Sequence, residues 1–304
     1  MSRLSRLMPC LWLLLPLGQA TTANAQTLDD IAIDLINPVS SLGTMINDFN
    51  YTTFQGDLPE ADDQDRWEYN ITPSIPFPLS NGKTIVLRFS FPINLGEPTY
   101  LADGQEYAAW RIRQDADVIP TDGVFFSGHS FLDDLSFDLS YGGTRDDGFI
   151  SMYGIKVVMP TSRDASIERD QWLLGPEVAF GKITDWGIYG VKASHLTNVA
   201  DLNKEDRGYD FNSNITSLKI FFAYGLGNGW QVISNPDIQY DWEGAGSNKL
   251  ALPLGIGIAK TTRLGKIPFK VSAEIQNYLA SPDAIGPQWQ LKFNITPVIW
   301  DRSR

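Results

Sequence analysis

The chain has very little of the chemistry that most enzymes and redox proteins draw on. Its one cysteine, Cys10, lies within the first 25 residues, so a chain trimmed after them has neither disulfides nor a reactive thiol. It has two histidines, His129 and His195. No later stretch reaches the ~18 consecutive apolar residues of a spanning helix, so any membrane crossing must use strands. Positive charge is scarce as well: 24 Lys and Arg face 36 Asp and Glu, a formal net charge of −12. That balance argues against nucleic acid as a partner. No low-complexity segment or Pro/Ser-rich linker breaks the sequence, whose length suits one large all-β domain.

What is present begins with an export signal. Arg3 and Arg6 precede the apolar core around Leu11–Leu15, and Ala23-Asn24-Ala25 forms a small-residue cleavage site before Gln26. Cys10 precedes the apolar run, in the wrong place for lipid modification. The expected organisation is a signal peptide over 1–25, a helical segment over 26–42 and a β-barrel over 43–304.

Beyond residue 45 the sequence alternates. Trp67, Tyr69, Ile71, Ile75 and Phe77 interleave with Glu68, Asn70, Thr72 and Ser74. Leu135, Phe137, Leu139 and Tyr141 do the same, as do Trp289, Leu291, Phe293 and Ile295. Period-2 alternation sorts side chains onto opposite faces of a strand. Strands are expected over about 43–56, 66–78, 83–94, 130–142, 148–160, 172–182, 186–198, 211–224, 229–242, 248–263, 267–279 and 287–300. Even connections are tight and rich in Gly, Asn and Asp, such as Ser80-Asn81-Gly82 and Gly227-Asn228-Gly229. Odd connections are mostly longer and charged. Short turns on one side and longer loops on the other, with an even strand count, describe a bacterial outer-membrane barrel.

Tryptophans support this. Trp67, Trp172, Trp242 and Trp289 abut the long side, while Trp186, Trp230 and Trp300 lie near short turns or the chain end. Two rows of such rings form the membrane girdle where a barrel meets both headgroup layers. The expected fold class is all-β: a single antiparallel transmembrane barrel of about twelve strands with a short N-terminal helix. Seven prolines in or beside strands (Pro73, Pro76, Pro78, Pro92, Pro236, Pro253 and Pro297) require bulges or strand extensions beyond the hydrocarbon.

Several short marks run in order along the mature chain: Asn37-Pro38-Val39, Gly175-Pro176, Ala193-Ser194-His195, Tyr240-Asp241-Trp242-Glu243 and Leu264-Gly265-Lys266-Ile267-Pro268. The last is Tyr278-x-x-Ser281-Pro282-x-x-x-Gly286-Pro287-x-Trp289. With them the chain resembles a bacterial outer-membrane family labelled neuromedin U-like or transporter, similar to the putative MetA-pathway phenol-degradation family. It departs from that pattern at Leu132-Asp133, where the family has Gly-Asp, and in a longer 95–128 loop. The resemblance implies an outer-membrane channel without catalytic residues or cofactor.

If the apolar face meets lipid, the lumen-lining set is Asp48, Glu68, Arg88, Asp134, Asp138, Glu177, Lys192, Lys219, Asp237, Asp241, Lys270, Glu274 and Lys292. A Lys or Arg turned to lipid near the midplane would cost ~2–4 kcal/mol. These charges either pair across strands and fill the barrel, or line a polar path for a small solute. Twelve strands lie between eight, which side chains fill, and sixteen to eighteen, which leave an open channel. The expected function is a channel or transporter-like barrel with a narrow, mixed-charge lumen, passing small solutes, aromatic or apolar ones among them. Its partners would be outer-membrane lipid and lipopolysaccharide, the barrel assembly machinery and the solute.

Three features outside the strands complete the reading. Leu28, Ile31, Ala32 and Leu35 recur at helical spacing before Pro38. That helix could plug the lumen, lie on the periplasmic rim or be mobile. The acidic cluster Asp57, Glu60, Asp62, Asp63 and Asp65 lacks EF-hand spacing and reads as a solvated loop, with cation bridging to anionic surface lipid as the alternative. The 95–128 loop exceeds the usual length of a bare connection and carries Tyr107, Trp110, Arg111 and Arg113. It is expected to fold into or over the outer mouth. The rival classes are a lipase-like barrel enzyme and a structural or adhesive surface barrel. The enzyme has one serviceable pair, Ser127 and His129, since Ser194 and His195 face opposite ways on a strand. No G-x-S-x-G or H-E-x-x-H motif and no metal set is present.

Overall fold

The structure is a computed structural model describing residues 26–114, 122–126, 130–162, 169–202 and 212–301. The signal sequence and the Ser127/His129 pair lie outside the described residues. Twelve antiparallel strands form the wall: β1 Leu42–Gln55, β2 Asp65–Pro78, β3 Thr84–Leu95, β4 Ser136–Thr144, β5 Phe149–Val158 and β6 Gln171–Thr184. They continue as β7 Gly187–Asp201, β8 Asn214–Gly227, β9 in two pieces (Trp230–Ser234 and Asp237–Asp241), β10 Leu250–Leu264, β11 Ile267–Ala280 and β12 Gly286–Asp301. Each strand pairs with the next, and β12 returns to pair with β1. Closure leaves no edge on which backbone groups lack partners.

The alternation decides which side chain faces where. Leu254, Ile256, Leu264 and Leu279 stand at least 60% exposed on the outer wall. Phe293, Ile295, Ile275 and Val271 continue this surface. Apolar exposure on this scale is far beyond the patches a water-soluble monomer carries, and suits hydrocarbon. Trp67, Trp172, Trp242 and Trp289 stand exposed at the loop-side strand ends. At the turn side Trp186 stacks on Tyr189 with ring centroids 5.7 Å apart, and Trp230 is also exposed. A bulge between Gly43 and Thr44 brings Trp300 opposite Gly43. A Cβ on Gly43 would fall 2.1 Å from the indole Nε1, so the missing side chain makes room for the ring.

The prolines are handled in three ways. Pro253 sits at a bulge between Leu252 and Pro253. Pro236 interrupts β9, yet pairing with β8 resumes in the same register: Phe222 faces Ser234 before it and Lys219 faces Asp237 after it. Pro73 and Pro76 stay inside β2, leaving its register with β3 unshifted from Ile71↔Phe91 to Ser74↔Arg88. The fourth strand needs a correction. A continuous run from 130 was expected, but Ser130–Leu132 is a separate short strand on β3 and the wall resumes at Ser136. Asp133 still donates its N–H to the Pro92 carbonyl of β3, and the chain turns away at Asp134. The Asp134 carboxylate accepts the backbone N–H of Thr161 and Ser162, both at 3.0 Å, and the Leu135 N–H goes to Thr161 Oγ1.

Helix α1, Leu28–Asp34, starts with a capping box: Thr27 Oγ1 accepts the Asp30 N–H and the Asp30 carboxylate accepts the Thr27 N–H. The 26–41 segment enters the turn-side end of the lumen. There Ile33, Ile36 and Val39 pack against inward-facing Ile150, Met152, Ala179, Ile188, Phe221, Ala223, Ile233 and Ala259. Of the placements open to this segment, the lumen plug is the one found.

Candidate functional site

Two chambers lined by the described residues are stacked in the lumen between the plug and the loop side. The turn-side chamber has a volume of about 370 Å³. Residues 34–38 of the plug form its floor, and its wall comes from inward positions of β1–β5, β7–β9, β11 and β12. The loop-side chamber, about 360 Å³, lies beneath Glu97, Ala109 and Arg113 of the long loop. Lys292 lines both chambers, from the midpoint of β12.

Polar contacts tie the plug to the wall. The Arg88 guanidinium donates to the Pro38 carbonyl and pairs with Asp138 at 3.1 Å. Asn37 Nδ2 donates to Thr144 Oγ1 at 3.1 Å, and the Gly229 N–H donates to Asp29 Oδ1 at 2.6 Å. Arg263 reaches the Gln26 carbonyl at 2.7 Å.

The long loop builds the ceiling. Strand Thr99–Ala102 is central between Gln105–Ala108 and Val124–Phe126, and helix α2, Ala109–Gln114, follows the hairpin. Tyr100, Ala102, Ala109 and Ile112 bury themselves with Phe54, Leu58, Ala61, Ala284 and Ile285. Tyr107 and Phe125 pack against this cluster, and Phe125 meets Tyr100 edge-on at 4.9 Å. The helix reaches across the mouth: the Arg113 carbonyl accepts the Ala245 N–H at 3.0 Å, and Gln114 Nε2 donates to the Asn212 carbonyl at 2.9 Å. Arg113 and Ala109 line the loop-side chamber, while Arg111 donates to the Glu106 carbonyl. Burial pulls the Arg113 guanidinium below its ordinary value, and the Arg169 charge adds to this. Trp110 lies within α2.

The other residues expected in the lumen divide among these spaces. Asp48, Arg88, Asp138, Lys192, Lys219, Lys270 and Glu274 line the turn-side chamber, and Glu68 and Asp237 the loop-side one. Glu177, almost fully buried, pairs with Lys192 at 2.7 Å. Asp134 caps the 161–162 backbone instead of bordering either chamber, and Asp241 accepts the Glu243 N–H in the turn after β9. Inward charges that the sequence reading did not name also appear: Lys156 in the turn-side chamber, and Arg66, Glu97, Asp133 and Arg169 in the loop-side one, where they join the expected mouth residue Arg113. Arg66 pairs with Glu97 at 2.7 Å. The alternating phase of β2 and β5 already pointed Arg66 and Lys156 inward. Glu97 and Arg169 come from loops, where periodicity is silent. Ser194 points into the lumen, whereas His195 is on the outer face with Nδ1 2.9 Å from Thr216 Oγ1, so the two form no nucleophile–base pair. No group of metal-ligating side chains occurs among the described residues.

No protein-family model matches the chain, and neither does any curated protein. Solved structures do match. The COG4313 outer membrane channel from Pseudomonas putida F1 superposes with a TM-score of 0.58 at 10% identity, covering 85% of this chain and 95% of that one. The NanC porin covers 84% of this chain and 98% of its own at 10% identity, with a TM-score of 0.47. The chain has the fold of an outer-membrane β-barrel. The narrower family labels suggested by the short sequence marks find no match among the family models.

Proposed function

We propose that this protein is an outer-membrane channel of a Gram-negative bacterium that passes small solutes through a narrow, mixed-charge lumen. The observation that carries the reading is the pair of polar chambers stacked inside a lipid-facing barrel, joined at Lys292 and closed by a docked segment at one end and a folded loop at the other. A barrel filled only for stability would pack its interior instead of keeping two spaces of this size. The long loops face outside and the turns face the periplasm, as in other barrels of this kind. Lipid and lipopolysaccharide then contact the outer wall, and the barrel assembly machinery inserts it. Lys292, Lys219, Arg88, Asp138 and Glu274 set which solutes pass, because interior charges tune such pores. Apolar Phe54, Ile285 and the Tyr107–Phe125 cluster at the mouth favour solutes with an aromatic or apolar part.

The test is ion conductance of the refolded, full mature chain in a planar bilayer. Discrete conductance steps that shift in anion/cation preference on Arg88→Glu are expected. A correctly folded barrel that passes neither ions nor small solutes would refute the reading.

A further inference from the structure

The acids of the turn-side chamber are already engaged. Glu274 accepts the Asn235 N–H at 2.8 Å, Asn235 Nδ2 at 3.1 Å and Gln276 Nε2 at 2.7 Å. It faces Lys292 in register but spends its carboxylate on these amides. Asp138 is held by Arg88, and Asp48 accepts Asn294 Nδ2 at 2.8 Å. Lys192 is taken by Glu177.

Four lysines of the same chamber close no ion pair among the described residues: Lys156, which faces the Arg88-bound Asp138 in register, and Lys219, Lys270 and Lys292. Lys219 and Lys270 form no ion pair or hydrogen bond among the described residues, and Lys292 reaches only the Asn235 carbonyl at 3.4 Å. Lys219 also stands directly opposite Lys192 across β7 and β8, an arrangement that is destabilising by itself. Asp237 is its register partner on the other side, yet no ion pair closes between them. A fold built only for stability has no reason to gather ammonium groups in one chamber while amides take up Glu274 and Asp48. A ligand supplying negative charge gives one.

The rest of the chamber says what else that ligand carries. Leu35, Ile36, Ile46, Phe221 and Ile233 line it beside the lysines. A fully hydrated inorganic anion gains nothing from such a wall. The volume, about 370 Å³, falls at the small end of the range for ligand pockets. We infer that the turn-side chamber binds a small carboxylate with an apolar body, its carboxylate held by Lys219, Lys270 and Lys292 and its body resting on the plug residues Leu35 and Ile36 and on Phe221. The inference rests on the channel reading for its purpose, since a solute paused here lies next to the plug that would have to yield.

The test is calorimetric titration of the refolded mature protein with benzoate, with benzyl alcohol and with inorganic phosphate. Benzoate is expected to bind, benzyl alcohol to fail and phosphate to bind more weakly than benzoate. Lys219→Gln and Lys270→Gln should each weaken benzoate about tenfold, the worth of one charge-assisted contact. Both variants should melt no lower than the parent, because no ion pair is lost. A second measurement needs no variant: benzoate should shield Lys219, Lys270 and Lys292 from reductive methylation while leaving the exterior Lys266 unaffected. Unchanged affinity in both Gln variants, tighter binding of phosphate than of benzoate, or absence of shielding would each overturn the site. Conductance without benzoate binding would remove this site and leave the channel standing. Benzoate binding in a barrel that never conducts would do the reverse.

Discussion

Val39 offers a direct handle on the plug. It is 5% exposed and packs beside Ile150, Met152 and Ile188 on the inner wall. Val39→Ala deletes two buried carbons, worth about 1.6 kcal/mol at about 0.8 kcal/mol each. That loss falls on the docked state, because the same side chain is exposed once the segment leaves. The ratio of undocked to docked plug should then rise about fifteen-fold, at about 1.4 kcal/mol per tenfold. The barrel wall itself loses nothing covalent or hydrogen-bonded, so its melting behaviour should hardly change. Single-channel recording in a planar bilayer reads the result: openings to a higher conductance level should become correspondingly more frequent, with the level itself unchanged. Arg88→Gln, which removes the guanidinium bonded to Pro38, should act in the same direction from the wall side. Normal opening frequency in a folded Val39→Ala protein would refute the view that the 26–41 segment closes the pore by reversible docking.

Three other outcomes are expected. Single-cysteine labels at Phe137 and Leu291 should report lipid, and labels at Asp138 and Lys292 should not; lipid contact at Asp138 would mean a register slipped by one. Deleting Gly104 to Thr121, which takes helix α2 off the mouth, should raise conductance and blunt solute preference; unchanged conductance in the folded deletion would take this loop out of the mechanism. Burial raises the Asp134 carboxyl above its ordinary range against the pull of the two N–H donors from residues 161 and 162. A raised acid favours the neutral form in the fold, so its contribution to stability is present at low pH and falls as pH rises through its folded-state value. Asp134→Asn keeps an oxygen acceptor without the charge, and should flatten that part of the pH–melting curve without lowering the melting temperature at neutral pH.

The wall was legible because one rule governs it. Outward residues such as Leu291, Phe293 and Ile295 meet hydrocarbon and inward ones such as Lys292 and Asn294 meet water, so two-residue periodicity encodes strand, face and register together. The plug escaped that rule. A seven-residue helix with Leu28, Ile31 and Ala32 on one side looks the same whether it docks inside a barrel or floats beside it. Yet a trace was present. Phe149-Ile150, Ile188-Tyr189, Phe221-Phe222 and Val232-Ile233 all break the alternation, and all lie near turn-side ends of β5, β7, β8 and β9. Apolar side chains on both faces at one end of several strands require an apolar object inside. Part of the loop-side site was hidden for another reason: Glu97 and Arg169 owe their positions to tertiary folding of connections, which carry no period, whereas Arg113 was legible from the length and aromatic content of its loop.

The meeting of β1 with β12 bears on how the molecule comes to exist. The other wall pairings join strands adjacent in sequence, but Phe49 with Phe293 and Tyr51 with Leu291 join the two ends of the chain. Such a pairing is the costliest in loop entropy and the slowest to find. It is therefore the seam that welds last, and it has a bulge near each end, at Gly43/Thr44 and Thr53/Phe54. The 26–41 segment leads directly into that seam, so docking of the plug and closure of the wall meet at the same end of β1. Substitutions along a seam that forms last should shorten the life of the finished barrel more than they slow its maturation.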